Sequence, residues 1–269
     1  MIEIPTDLGG YLVDNYHILI VLNAAKEAGK LILNYFGTSI SSQKKSDGSP
    51  LTMADQESHR VITAALESTG IPVVSEEGED LLMNESKYWL VDPLDGTKEF
   101  LLNNEEFTIN IALIEDNKPV FGLMYAPAID EMYIGIPGKE AWMERNGIRT
   151  KCAIYPERDK LFMATSRFHD HSGSDIFAVD NGIGGKIALG SALKYGRIAL
   201  GEVDVYLRLI GTSEWDTAAG QAILEAAGGS MIDLNTGLSM IYGKAKRRNG
   251  GFIAFRAPYK FTDFKINKL

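Results

Sequence analysis

A single cysteine, Cys152, stands in 269 residues. That excludes internal disulfides and any zinc site built on several thiolates. The four histidines, His17, His59, His169 and His171, form no H-E-x-x-H arrangement, which disfavours a zinc peptidase. No run approaches the ~18 consecutive apolar residues of a membrane span. The first ten residues carry Glu3 and Asp7 and lack a basic start followed by an apolar run, so no secretory signal is expected and the expected compartment is the cytoplasm. Internal repeats, low-complexity tracts and long linkers are absent too. Positive charge is scarce: 27 Lys and Arg oppose 36 Asp and Glu, a formal net charge of −9. Long nucleic acid is therefore an unsuitable partner, because phosphate backbones are bound by clustered cations.

What is present fits a globular protein, with 45% hydrophobic and 23% charged residues, in one large domain or two small ones packed closely. The charge is uneven. From Ile241 to Leu269 there are eight basic residues against Asp263 alone, which leaves the first 240 residues near −16. Within that tail Lys244, Lys246, Arg247 and Arg248 read most simply as a solvated surface loop, with contact to a polyanion as the other reading.

Tyr16, Ile20, Ala24, Ala28, Leu31 and Tyr35 recur at helical spacing, and Gly37 ends the run. A turn-rich stretch from Ser41 to Pro50 precedes a second helix over about Thr52 to Ser68, where Thr52 and Asp55 have capping spacing. Short apolar runs at Ile71 to Ser75 and Tyr88 to Asp92 predict strands that end in acid. Phe107 to Met143 reads as an antiparallel meander. After about Cys152 strands and helices alternate, which predicts a mixed-sheet α/β half. Two subdomains follow, residues 1–150 (α+β) and 151–269 (α/β), sharing a cleft.

The strongest local signal is Asp92-Pro93-Leu94-Asp95-Gly96-Thr97. A buried strand delivers Asp92, Pro93 fixes φ, and Asp95 returns three residues later. Two carboxylates on one tight turn are costly to hold together unless a cation sits between them. Gly96 and Thr97 open a helical pattern whose free N–H groups suit a phosphate. Ser75-Glu76-Glu77 follows another strand. Thr212-Ser213-Glu214-Trp215-Asp216 opens a helix of small residues, with Ser213 and Asp216 at capping spacing. Taken singly, these are surface charge and helix caps. Together, three acidic strand ends or helix starts make the oxygen-ligand set that Mg²⁺ requires. Asn181 to Gly185 is Gly-rich but fits neither a Walker A nor a dinucleotide fingerprint, and Trp89 and Trp142 read as core.

These residues carry a resemblance. Asp92 to Thr97, together with Ser213-Glu214-Trp215-Asp216-Thr217-Ala218-Ala219-Gly220, resembles the Mg²⁺-dependent, lithium-sensitive phosphatase superfamily of inositol monophosphatase. The continuation Lys98-Glu99-Phe100 and the stretch Asp47 to Thr52 are most similar to its 3'(2'),5'-bisphosphate nucleotidase branch. The resemblance spans roughly residues 15 to 255 and implies alternating α-β-α-β-α layers. It implies that Glu76, Asp92, Asp95 and Asp216, with the carbonyl of Leu94, hold two or three Mg²⁺. It also implies that Thr97 contacts the attacking water and that Asp47 pairs with Thr97. Ser166, Arg167, His169, Ser191, Lys194 and Arg208 are implied to line the nucleotide site, Lys194 and Arg208 facing a 5'-phosphate, and Glu214 to contact substrate. Arg248-Asn249-Gly250-Gly251-Phe252 and the run Phe168 to His171 depart from the family pattern.

The implied reaction is hydrolysis of the 3'-phosphate of adenosine 3',5'-bisphosphate, and of its 5'-phosphosulfate as a further substrate. Two metals about 3.5–4 Å apart serve an in-line displacement by activating water and stabilising the leaving oxygen. The Thr97 hydroxyl passes a proton to its acidic partner, and the Gly96 and Thr97 N–H groups stabilise the phosphoryl oxygens. The alternatives are an inositol or sugar monophosphatase and a non-catalytic metal- or nucleotide-binding regulator.

Overall fold

The computed structural model describes residues 15–38, 43–44, 50–78, 85–152, 158–168 and 172–266. The first helix, α1 (Asn15–Tyr35), buries Ile18, Val21, Leu22, Ala25, Ala28 and Ile32 along one face. Strands β1 (Gln43–Lys44) and β2 (Pro50–Leu51) form a two-stranded antiparallel ribbon. Helix α2 (Met53–Glu67) follows, and its first turn is fixed by a capping box. Thr52 Oγ1 accepts from Ala54 N at 3.2 Å, and Asp55 Oδ2 accepts from Thr52 N at 2.7 Å. Two of the otherwise orphaned helix N–H groups are thus satisfied reciprocally.

The larger sheet has seven strands in sequence order: β3 (Val73–Ser75), β4 (Lys87–Asp95), β5 (Thr108–Glu115), β6 (Lys118–Ala126), β7 (Glu131–Ile136), β8 (Glu140–Arg145) and β9 (Ile148–Lys151). Only β3 and β4 run parallel; the rest is an antiparallel meander. Helix α3 (Thr97–Leu101) links β4 to β5. The smaller sheet contains β10 (Phe162–Ser166), β11 (Gly185–Leu189), β12 (Val205–Arg208), β13 (Ser230–Asp233) and β14 (Phe252–Phe255), in the spatial order β11-β10-β12-β14-β13. It is mixed: β10 is parallel to β11 and β12, whereas β14 is antiparallel to β12 and β13. Helices α4 (Ser172–Asp180), α5 (Leu193–Ala199) and α6 (Ala218–Ala226) belong to this half.

The layers stack as expected. α1 and α2 cover one face of the seven-stranded sheet over Trp89, Val91, Ile109, Ile111 and Leu123. α5 and α6 lie between the two sheets, in a core shared by Leu90, Ala112, Tyr133, Tyr195, Tyr206, Ile223 and Phe252. α4 closes the outer face over Met163, Val205 and Phe255. The alanines of α6 let it press onto β6 and β7, where Gly122 and Gly135 leave room. A Cβ on Gly122 would stand 2.8 Å from Ala222 Cβ, and one on Gly135 2.8 Å from Ile223 N. That close approach seats the start of α6, and with it Asp216, against the larger sheet. Among the described residues no helix is long and apolar enough to cross a membrane.

Candidate active site

Asp92 and Asp95 are three residues apart, and a regular strand would point them to opposite faces. The β4–β5 register shifts between them: Asp92 pairs with Asn110 and Asp95 with Thr108. Three steps on β4 thus match two on β5, a one-residue bulge that brings both carboxylates to one side. Pro93 sits in the bulge, where the missing N–H costs no ladder bond. Leu94 N donates to Asp92 Oδ1 at 3.1 Å, and Ser58 Oγ of α2 donates to Pro93 O at 2.7 Å. Gly96 turns the chain at φ +91°, a conformation that favours glycine. A Cβ there would also meet Ser191 Cβ at 3.1 Å.

Asp216 enters from the start of α6, its Oδ2 accepting from Ser213 N at 2.8 Å. This is half of the capping arrangement read from the sequence. Carboxylate oxygens of Asp92, Asp95 and Asp216 lie within 4.8 Å of one another. Glu76 follows β3, its N–H donating to Val91 O at 3.1 Å, and its charge reaches both Asp95 and Asp216. Burial, with the charges of Glu99 and Glu76, pushes the Asp95 carboxyl well above the usual carboxylate range, although Lys194 and Asn110 pull it down. Asp216 is raised in the same way, by burial first and then by Asp95 and Glu76. A group of acids that resists its own ionisation, with only oxygen donors, fits a hard divalent cation. Glu76, Asp92, Asp95 and Asp216 are the side chains available to hold it.

Thr97 stands beside this cluster. Its Oγ1 lies within hydrogen-bonding distance of Asp55 Oδ1, 3.2 Å, and of Leu94 O, 3.4 Å. The resemblance implied Asp47 as its partner. Asp47 lies outside the described residues, and the carboxylate found against Thr97 belongs to Asp55. In the sequence Asp55 registers only as a helix cap, and nothing in its spacing marks a second contact 42 residues away. α3 has only five residues, so the expected phosphate contact at Gly96 and Thr97 would draw on local N–H groups rather than on a long helix dipole.

The residues expected at the nucleotide site fare unevenly. Ser191 Oγ lies 3.2 Å from Thr108 Oγ1, which donates to Asn110 Oδ1 at 3.0 Å. Asn110 Nδ2 in turn donates to Asp95 Oδ2 at 3.4 Å, so Ser191 is joined to the acidic cluster. Lys194 is buried, and its ammonium donates to Leu189 O at 3.3 Å and to Ser191 O. Burial brings its pKa down to about 8, against the pull of Asp95. Arg208 ends β12, its Nε donating to Ile210 O at 2.9 Å, and its charge is felt at Lys194. Ser166 is half-buried at the end of β10. Arg167 makes a bidentate pair with Glu106, 2.8 Å on each arm. Glu106 also accepts from Gly190 N at 2.7 Å. His169 lies outside the described residues.

Glu214, expected to contact substrate, lies in the interior. It is fully buried, and its carboxylate accepts from Lys244 N at 2.9 Å and Gly243 N at 3.2 Å. It also pairs with Lys244 at 3.2 Å and Arg247 at 3.4 Å. These carboxylate partners all come from the 243–247 segment, so Glu214 anchors that segment to the start of α6. The basic run is corrected with it: Arg247 is buried against Tyr88 and Glu214, whereas Lys246 and Arg248 are exposed.

Two stacked sheets with a carboxylate cluster at their junction define the class. The inositol monophosphatase family model matches residues 15–256, and the chain belongs to the inositol monophosphatase family. Within it, the chain is 40% identical over 220 residues to the 3'(2'),5'-bisphosphate nucleotidase CysQ of Salmonella typhimurium, covering 79% of this chain and 89% of that protein. The same figures hold for CysQ of Escherichia coli K12. Among solved structures, CysQ from Bacteroides thetaiotaomicron matches with a TM-score of 0.82 at 33% identity, covering 93% of this chain and 100% of that one. The IMPase of Thermotoga maritima matches with a TM-score of 0.73 at 25% identity, covering 90% and 92%.

Proposed function

We propose that this protein is a Mg²⁺-dependent 3'(2'),5'-bisphosphate nucleotidase that removes the 3'-phosphate of adenosine 3',5'-bisphosphate, with 3'-phosphoadenosine 5'-phosphosulfate as a further substrate. The observation that carries the reading is the convergence of Asp92, Asp95 and Asp216 within 4.8 Å beside a threonine hydroxyl held by a buried aspartate, in a chain 40% identical to CysQ nucleotidases. Glu76, Asp92, Asp95, Asp216 and the Leu94 carbonyl are the groups that would hold two or three Mg²⁺. Bound there, the ions would lower the pKa of water and neutralise phosphate charge.

The chain's own groups do the rest. Thr97 Oγ1 accepts a hydrogen bond from the attacking water while its own proton points at Asp55 Oδ1, so water is oriented and its proton has somewhere to go. Asp55 is 1% exposed, which keeps solvent from competing for that proton. The N–H groups of Gly96 and Thr97 face the transferring phosphoryl oxygens. Ser166, Arg167, Ser191, Lys194 and Arg208 border the nucleotide. Chromatographic identification of the product tests the regiochemistry: adenosine 5'-monophosphate is expected from adenosine 3',5'-bisphosphate. Adenosine 3'-monophosphate as product, or no Mg²⁺-dependent product, would contradict the reading.

A further inference from the structure

We propose that Ser58 and His59 of α2 are positioning residues of the metal centre. Ser58 holds the Asp92–Asp95 bulge through Pro93, and His59 holds the Glu76 turn through Ser75. The inference rests on reading the four carboxylates as a metal site.

Asp55, Ser58, His59 and Ile62 fall at i, i+3, i+4 and i+7 of α2, one face of the helix. Ile62 anchors that face in the core, and its polar members reach three separate segments of the site. Asp55 meets Thr97 at 3.2 Å. Ser58, fully buried, donates to Pro93 O at 2.7 Å. The Nδ1 of His59 lies 2.8 Å from Ser75 Oγ. The partner residues are placed tellingly. Pro93 stands between the two aspartates of the bulge, and Ser75 immediately precedes Glu76.

Backbone bonds also hold the Glu76 turn: Glu76 N donates to Val91 O at 3.1 Å and Gly78 N to Ser75 O at 3.0 Å. It also lies close against the imidazole. A Cβ on Gly78 would stand 3.5 Å from His59 Cε1 and 3.3 Å from Ser75 O. Like charges gathered around a cation site repel one another before the cation arrives. A carboxylate carried on a short turn then loses register unless a rigid element holds the turn. The capping box at Thr52 and Asp55 makes α2 such an element, because it fixes the first turn from which these side chains are spaced. Contacts one step removed from the ligands commonly contribute tenfold or more to metal affinity.

The test is calorimetric titration of Mg²⁺ alone into the full chain and its variants, with kcat and KM measured at saturating Mg²⁺. His59→Ala and Ser75→Ala are each expected to weaken Mg²⁺ binding roughly tenfold. The double variant should be no weaker than either single one, because one contact is lost in all three. His59→Asn, which keeps a polar atom near the Nδ1 position, should recover most of the affinity, and Ser58→Ala should also weaken binding. KM for the nucleotide at saturating Mg²⁺ should stay within about twofold, since these residues act on the metal rather than on uniform substrate binding. Wild-type Mg²⁺ affinity in His59→Ala and Ser75→Ala would overturn the proposal, as would additive losses in the double variant. Should His59→Ala fail to fold, Ser75→Ala and His59→Asn carry the test. An unmutated protein that does not bind Mg²⁺ would instead defeat the metal-site reading itself.

Discussion

Thr97 Oγ1 lies 3.2 Å from Asp55 Oδ1, while the other oxygen of Asp55 accepts from the N–H of Thr52 at 2.7 Å and its hydroxyl at 2.5 Å. One carboxylate thus caps α2 and accepts a hydrogen bond from the threonine beside the acidic cluster. Asp55→Asn and Thr97→Ala should each lower kcat by ~100-fold or more, the scale of lost proton transfer, with Mg²⁺ binding little changed. Asp47→Asn should retain most of the rate. Steady-state kinetics on the three variants decides the point; a larger loss for Asp47→Asn would return the role to that residue. Loss of the cap costs Asp55→Asn stability of about 1 kcal/mol, so its unfolding is measured alongside.

The acidic cluster gives a pH-dependent stability in the metal-free protein. The Asp95 carboxyl rises from 3.8 to about 7 in the fold, chiefly through burial. Between those values the folded chain keeps a proton that the unfolded chain has released, so stability falls as pH rises from about 4 to about 7. Mg²⁺ favours the ionised carboxylates and should offset that loss. Thermal unfolding in chelator is expected to show a falling Tm from about pH 5 to about pH 7.5, with the Mg²⁺-induced rise larger at the higher pH. Asp95→Asn should flatten both trends. A Mg²⁺-induced rise that is largest at about pH 5 would contradict this.

The buried Glu214 makes a prediction opposite to that for a substrate contact. Glu214→Ala would leave Arg247 buried without its carboxylate and Gly243 N without its acceptor, a loss of about 3 kcal/mol by the measure of broken buried pairs. Denaturant unfolding should show that loss, and the KM of the folded fraction should change by less than about threefold. A near-native stability with a large rise in KM would restore Glu214 to the substrate site.

Much of the fold was legible because its periods are strong. The meander from Thr108 to Met143 is cut into strands by turns that its Asp, Asn, Pro and Gly residues mark, and α1 keeps helical spacing over 21 residues. The carboxylates Asp92, Asp95 and Asp216 were legible because their local motifs are long. Less visible were contacts made by residues with a sufficient local explanation. Asp55 reads fully as a cap, Glu214 sits in a motif whose other acid belongs to the site, and Arg247 looks like one more surface cation. Their second partners, Thr97, Gly243 and Tyr88, lie about 30 to 160 residues away in the chain. Local pattern carries no information at that range.

The charge of Arg208 reaches Lys194, and the proposed reading sets it against the 5'-phosphate of the substrate. Arg208→Gln should raise KM for adenosine 3',5'-bisphosphate about tenfold and leave adenosine 3'-monophosphate, which lacks the 5'-phosphate, nearly unaffected. Equal rises for both nucleotides would place Arg208 elsewhere than at the 5'-phosphate.

The most direct measurement is phosphate release by the purified protein with and without Mg²⁺, from adenosine 3',5'-bisphosphate and inositol 1-phosphate side by side. Mg²⁺-dependent release is expected, with kcat/KM highest for the nucleotide and with inhibition by lithium. Faster release from inositol 1-phosphate would contradict the nucleotidase reading, and no release from either would leave a binding protein in its place.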